Sequence, residues 1–135
     1  MSNLEYVLRS ADLIRQALTA RQKENPFLGE CYVASALLYD LYDGENLTLV
    51  KKMDSLGVYH WWVVFDDGET HMDIDITKDQ YHLRNLPCPS SSPEDCIISK
   101  KMGFSSYKKR IKKLEKEVLE ISQALITTDS NADVL

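Results

Sequence analysis

The stretch "VYHWWVVF" at 58–65 constrains this chain more than any other. All but one of its eight residues are β-branched or aromatic, which suits the pleated, packed surface of a strand. It runs into "DDGE", where Asp67-Gly68 is the favoured pair for a two-residue hairpin turn. "THMDIDI" then reads as the returning strand, so 58–76 predicts an antiparallel hairpin. A two-residue loop at 67–68 pairs residues 66 and 69 and sets His60 directly opposite Asp75. Opposed residues share a face with Cβ atoms roughly 4.5–5.5 Å apart, within reach of a carboxylate–imidazole bond. A four-residue loop with the same centre keeps this register, whereas a three-residue loop would split the pair between faces. One face then carries Tyr59, Trp61, Val63, Phe65, Met72, Ile74 and Ile76. The other carries His60, Trp62, Val64, His71, Asp73 and Asp75. "WWVVF" lacks polar alternation, which predicts a sheet covered on both sides.

Around the hairpin the periodicity changes to that of helices. Leu4, Val7, Leu8, Ala11, Ile14 and Leu18 recur at spacings of three and four, predicting a helix over 4–22 capped by Ser2 or Asn3. Pro26 and Gly29 interrupt the pattern. A second helix is expected over 31–42, burying Val33, Ala34, Leu37, Leu38 and Leu41, and stopped by Asp43-Gly44. "NLTLVKKM" predicts a strand ending before Gly57. "LPCPSSSPEDC" marks 83–103 as a long surface loop with a short helical turn. A final helix over 106–125 should bury Ile111, Leu114, Val118, Ile121 and Leu125. The sequence thus predicts one α+β domain over 1–127, with three helices flanking a small antiparallel sheet, and a disordered tail over 128–135.

A length of 135 residues is enough for one buried core. Net charge is −5 with a pI near 5.2, which excludes the basic footprint of a nucleic-acid binder. The basic cluster at 108–113 is interleaved with Glu115, Glu117 and Glu120 and reads as a solvated helix face. No apolar run reaches the roughly 18 residues of a membrane span. The N-terminus lacks the layout of a signal peptide. Together these give an expectation of a cytoplasmic protein with neither nucleic-acid nor membrane partners. Nothing in the sequence fixes an oligomeric state.

Three cysteines form no disulfide framework. One of them, Cys31, falls at the head of the second predicted helix. A helix N-terminus presents free backbone N–H groups and about half a positive charge, and both favour thiolate over thiol. The same groups can hold a developing oxyanion during acyl transfer. Cys31 as nucleophile, His60 as base and Asp75 as its orienting acid complete the parts of a thiol triad. The alternatives are ordinary ones: a buried cysteine, a polar cross-strand pair and a core histidine.

The ordered set Gly29-Glu30-Cys31, Ala34, Leu37, Asp40, Gly44, His60-Trp61-Trp62, Asp75-Ile76-Thr77 and Gln80 resembles the YunG-like family of small bacterial and phage proteins. Isoleucine stands at 76 where that family's pattern has leucine. The resemblance covers about 28–81. It implies a papain-like fold of the NlpC-type peptidase and transglutaminase superfamily, with the cysteine opening a helix packed on an antiparallel sheet. It also implies Cys31, His60 and Asp75 as the triad, and gives no substrate.

Papain-like enzymes often place a glutamine six residues before the cysteine as an oxyanion donor. Asn25 stands there and carries the same amide on a shorter arm. Its alternative is a loop asparagine before a proline turn. Tyr32 and Gln80 are candidate supports, Trp62 and Asp73 candidate cleft residues, and Asp73 is the fallback acid. Cys31, His60, His71, Asp73, Cys88 and Cys96 include zinc-ligand types, but without the paired spacing of a structural site. "DIDITKDQ" lacks the glycine and closing glutamate of a calcium loop. No metal or cofactor is therefore expected. The expectation is a thiol hydrolase or acyltransferase acting on an amide or thioester bond of a protein, peptide or small-molecule substrate. Its rival is a non-catalytic binding or regulatory module that keeps the fold.

Overall fold

The computed structural model describes residues 3–134, with side chains described for 3–127. The chain is α+β, with four helices and a four-stranded antiparallel sheet. In chain order the elements are α1 (Leu4–Thr19), α2 (Cys31–Leu41), β1 (Leu47–Met53), β2 (Tyr59–Asp66), β3 (His71–Ile74), α3 (Asp79–His82), a 3-10 turn at Pro89–Ser91, β4 (Ile97–Ile98) and α4 (Ser105–Val134). The strand order is β3-β2-β1-β4, every neighbour antiparallel. The disordered tail expected over 128–135 lies outside the described side chains.

Helix α2 is central. It packs on β2 and β1 on one side and on α4 and α1 on the other. Every side chain from 32 to 38 is therefore buried, rather than the single stripe a surface helix would show. Leu41, expected in that stripe, is exposed because α2 ends there. Asp43 and Gly44 take positive φ, and Gly44 N closes the helix onto Tyr39 O at 2.9 Å. On α1 the buried residues are Val7, Ala11, Ile14, Ala17 and Leu18, while Leu8 faces out. On α4, Ile111, Leu114 and Val118 enter the core and Ile121 packs at its edge. Leu125 does not, because every described side chain from 123 onward is exposed.

The hairpin forms with a different register from the one expected. Val63 pairs with Ile74, Val64 with Asp73, Phe65 with Met72 and Asp66 with His71, across a four-residue loop at 67–70. Two aspartates hold the loop open. Asp66 Oδ1 accepts from Gly68 N, and Asp67 Oδ1 accepts from the backbone N–H groups of Glu69 and Thr70. The offset is two residues, so each residue keeps its expected face. Trp61, Val63, Phe65 and Ile74 join the helical core. Asp75, however, falls beyond β3 and is not strand-paired with His60.

Residues 83–103 are more structured than the expected surface loop. Leu86 N bonds Tyr81 O, Cys88 and Pro89 are buried, and β4 adds Ile97 and Ile98 to the edge of β1. The segment covers the sheet face opposite the helices.

Candidate functional site

The approach to Cys31 is fixed by charge as well as by turn geometry. Gly29 takes φ +77°, a conformation that costs other residues strain. The Glu30 carboxylate lies between Arg21 at 3.2 Å and Arg110 at 3.1 Å, and Arg110 also donates to Gly29 O at 2.8 Å. Arg21 in turn makes a two-pronged pair with Glu117 of α4. Its hydrogen bond holds the Glu117 carboxyl below its usual range against the effect of burial. The turn after α1 and helix α4 thus set where α2 begins. No side chain caps α2, and the Ala34 N–H is the one that bonds back to Glu30 O. The backbone N–H groups before it are the free donors of a helix start.

His60 is completely buried. Strand β3 pairs only with residues 63–66, so beside His60 the sheet is one strand short and residues 75–80 fill the gap. Asp75 Oδ2 lies 2.7 Å from His60 Nε2, while Asp75 Oδ1 accepts from Thr77 N at 3.2 Å. The Gln80 amide sits 3.4 Å from His60 Nδ1 and donates to Thr77 Oγ1. Tyr81 stands edge-on to the imidazole at 4.9 Å between centroids, and Trp62 stacks on it at 5.8 Å. Burial lowers the imidazole pKa. The bond to Asp75 and the interactions with the Cys31 and Cys88 thiols outweigh it, and the histidine is pushed up to about 11. That direction favours the protonated ring, with the Cys31 sulfur beside it.

Two participants at this site fall in the stretch read as a surface loop. Ser90 Oγ donates to Asp75 Oδ2 at 2.5 Å, and Cys88 Sγ donates to the same oxygen at 3.3 Å. Prolines and serines argue for a loop, but a cysteine between two prolines carried a signal of its own, since free cysteine is among the most buried residue types. The donor atoms of His60, Asp75 and Cys88 lie within 4.8 Å of one another, a set of types that can hold a metal.

The remaining candidates sort clearly. Gln80 is buried at the imidazole, as a support should be. Asn25 donates its Nδ2 to Gln80 O at 3.3 Å, so that donor is engaged away from an oxyanion, and its Oδ1 is buried without a hydrogen-bond partner. It braces α3. Tyr32 turns from the thiol into the core, where it packs edge-on against Trp61 and Tyr107 and bonds the Met102 backbone. A helix residue next to Cys31 points about 100° away from it, so sequence adjacency does not carry over. Trp62 is fully buried rather than a cleft wall, and its Nε1 donates to Asp73 Oδ1 at 2.8 Å. Asp73 is thereby the partner of Trp62, and Asp75 is the acid at His60.

Cys31 opens into a cavity of about 190 Å³ lined by Leu28, Gly29, Asp54, Leu56, Val58, Tyr59, Gln80, Tyr81 and Arg84. Asp54 ties down the 54–58 turn by accepting from Leu56 N and Val58 N, and it also accepts from Tyr81 Oη at 2.8 Å. Burial works to raise the Asp54 carboxyl, but these bonds outweigh it and hold it below its ordinary range. Burial and the Asp54 bond push the Tyr81 phenol well above its ordinary range, so it stays a donor.

The family model described as YunG protein matches residues 4–122. The chain belongs to the YunG protein family. The match extends beyond the 28–81 motif to α1, the turn after it that carries Arg21, and most of α4, whose Arg110 and Glu117 complete the charge cluster around Glu30 in this YunG chain. No curated protein and no solved structure matches it. No helix among the described residues is long and apolar enough to cross a membrane.

Proposed function

We propose that the protein is a thiol hydrolase or acyltransferase that cleaves an amide or thioester bond through Cys31, His60 and Asp75. The observation that carries this reading is the buried His60. Its Nε2 is bonded to Asp75 at 2.7 Å, its Nδ1 lies 3.4 Å from the Gln80 amide, and the ring interacts with Cys31, with which it shares a proton. In the first half-reaction the sulfur, its proton already held by His60, attacks the carbonyl carbon. The free N–H groups at the start of α2 stabilise the oxyanion. His60 then returns the proton to the leaving nitrogen or sulfur as that bond breaks, giving an acyl-enzyme. Water, or an acceptor amine or thiol, reverses these steps with His60 as base.

A papain-like arrangement is part of the same proposal. It is supported by a cysteine-headed helix packed on an antiparallel sheet and by the chain order cysteine, histidine, aspartate. The substrate is a protein, peptide or small amide, and the reaction is placed in the cytoplasm.

The test is selective alkylation. At limiting iodoacetamide and pH 7, Cys31 is labelled well before Cys96 of the 92–96 loop, and a Cys31→Ala protein loses the fast phase while unfolding at the same urea concentration. Labelling of Cys31 and Cys96 at one rate would end the catalytic reading. A Cys31→Ser protein that retained full biological effect would favour the binding-module alternative.

A further inference from the structure

We infer that the substrate of this thiol site carries a carboxylate beside a compact aliphatic group, with Arg84 as the residue that recognises the carboxylate. The inference rests on the thiol-enzyme reading and concerns the cavity in front of Cys31. One wall is apolar and open to solvent: Leu28 is 51%, Leu56 58% and Val58 60% exposed. A cavity of about 190 Å³ takes one group of side-chain size, not an extended chain segment. The 54–58 turn that presents Leu56 and Val58 is pinned at its base by Asp54, so this wall is held in place.

Arg84 lines the same cavity. Its Nε donates to Gln80 O at 3.2 Å and its guanidinium lies 5.5 Å from the Tyr81 ring centroid. Those two contacts hold the guanidinium against α3. They use the Nε donor and leave the Nη donors for a ligand, a geometry suited to a carboxylate. Asp54 lines the same cavity and its carboxylate feels the Arg84 charge, but its two oxygens already accept from Leu56 N, Val58 N and Tyr81 Oη, and among the described residues it makes no hydrogen bond or close ion pair with Arg84. Beyond the cavity, Lys51 Nζ lies 4.5 Å from the ring centroid of Tyr59, which puts a second cation at the rim.

Iodoacetate and iodoacetamide differ only in presenting a carboxylate or an amide, so their alkylation rates read the charge preference of the cavity. Each rate is measured by mass spectrometry at Cys31 and at Cys96 in the intact protein. The expected result is an iodoacetate-to-iodoacetamide ratio about tenfold higher at Cys31 than at Cys96, the scale of one charge-assisted contact. The His60 imidazolium alone also favours an anion, so the deciding arm is Arg84→Gln. It lowers the iodoacetate rate at Cys31 about fivefold more than the iodoacetamide rate, and Arg84→Lys restores most of the ratio. A ratio that Arg84→Gln leaves unmoved overturns the inference while the fast Cys31 labelling stands. Equal iodoacetamide rates at Cys31 and Cys96 overturn the thiol-enzyme reading itself.

Discussion

Asp75 Oδ2 lies 2.7 Å from His60 Nε2, although the two residues are not opposed in any strand pair. The contact survives a two-residue change of register because Asp75 leaves the strand and turns back beside the gap at the end of β3. The carboxylate is held there independently, by Thr77 N on one oxygen and by Ser90 Oγ and Cys88 Sγ on the other. It orients the imidazole and also balances its charge.

Replacing Asp75 by asparagine keeps the shape and removes the charge. Asp75→Asn should slow iodoacetamide labelling of Cys31 at pH 7 by about tenfold or more, because the neighbouring ring loses the partner that keeps it protonated. Stability in urea should fall by about 1–3 kcal/mol, the usual cost of spoiling a buried bond to a charged group. Unchanged labelling would remove Asp75 from the site.

His60 predicts the direction of the pH dependence. Its pKa is pushed up to about 11 in the folded chain, against about 6.5 when unfolded. Below pH 6.5 both states hold the proton and the stabilisation is fully present. As pH rises from about 6.5 towards 11 the unfolded chain releases the proton first, so stability is progressively lost over that window. Urea midpoints measured from pH 6 to 10 should fall, and a His60→Gln protein should lose most of the slope. Cys31→Ala should keep most of it, since Asp75 raises the histidine more than either thiol does.

The sequence brought His60 and Asp75 together through types and faces, not through register. "WWVVF" and the alternation around it placed His60 and Asp75 on one side whatever even offset the loop adopted, so the pairing was recoverable although the loop was longer than expected. The aspartates that lengthened the loop lie at 66 and 67, where side-chain caps compete with the two-residue turn. Ser90 and Cys88 were not legible, because their burial depends on where the chain returns across the sheet after α3. Proline and serine content speaks only to local conformation. Tyr32 and Trp62 were misplaced for a related reason: an aromatic residue near a candidate site residue, Cys31 or His60, can serve the core as readily as the cleft. Only the packing of Tyr107 against the one, and Asp73 beneath the other, decides it.

Asp73 offers a control that separates structure from chemistry. It accepts the Trp62 indole N–H at 2.8 Å, and Trp62 is fully buried. Asp73→Ala should cost about 1–3 kcal/mol by leaving that donor without its partner. In the native protein the labelling rate of Cys31 should be unchanged, because Asp75 and not Asp73 contacts the imidazole. Loss of fast labelling in a folded Asp73→Ala protein would mean that the acid had been assigned to the wrong aspartate.

Gly29 tests how strictly the helix tip is positioned. Its φ of +77° disfavours a side chain, yet a Cβ built there meets nothing within 4 Å. The cost of Gly29→Ala is therefore conformational alone, about 1–2 kcal/mol. If the chain relieves that strain by rotating the peptide before Glu30, the Glu30–Arg110 pair and the Arg110–Gly29 bond shift with it, and Cys31 moves relative to His60. The expected outcome is a modest loss in urea stability with a several-fold slower iodoacetamide reaction at Cys31. A Gly29→Asn protein should recover part of both, because asparagine tolerates the left-handed region better than alanine. An alanine variant with wild-type stability and wild-type labelling would show that the turn does not position the thiol.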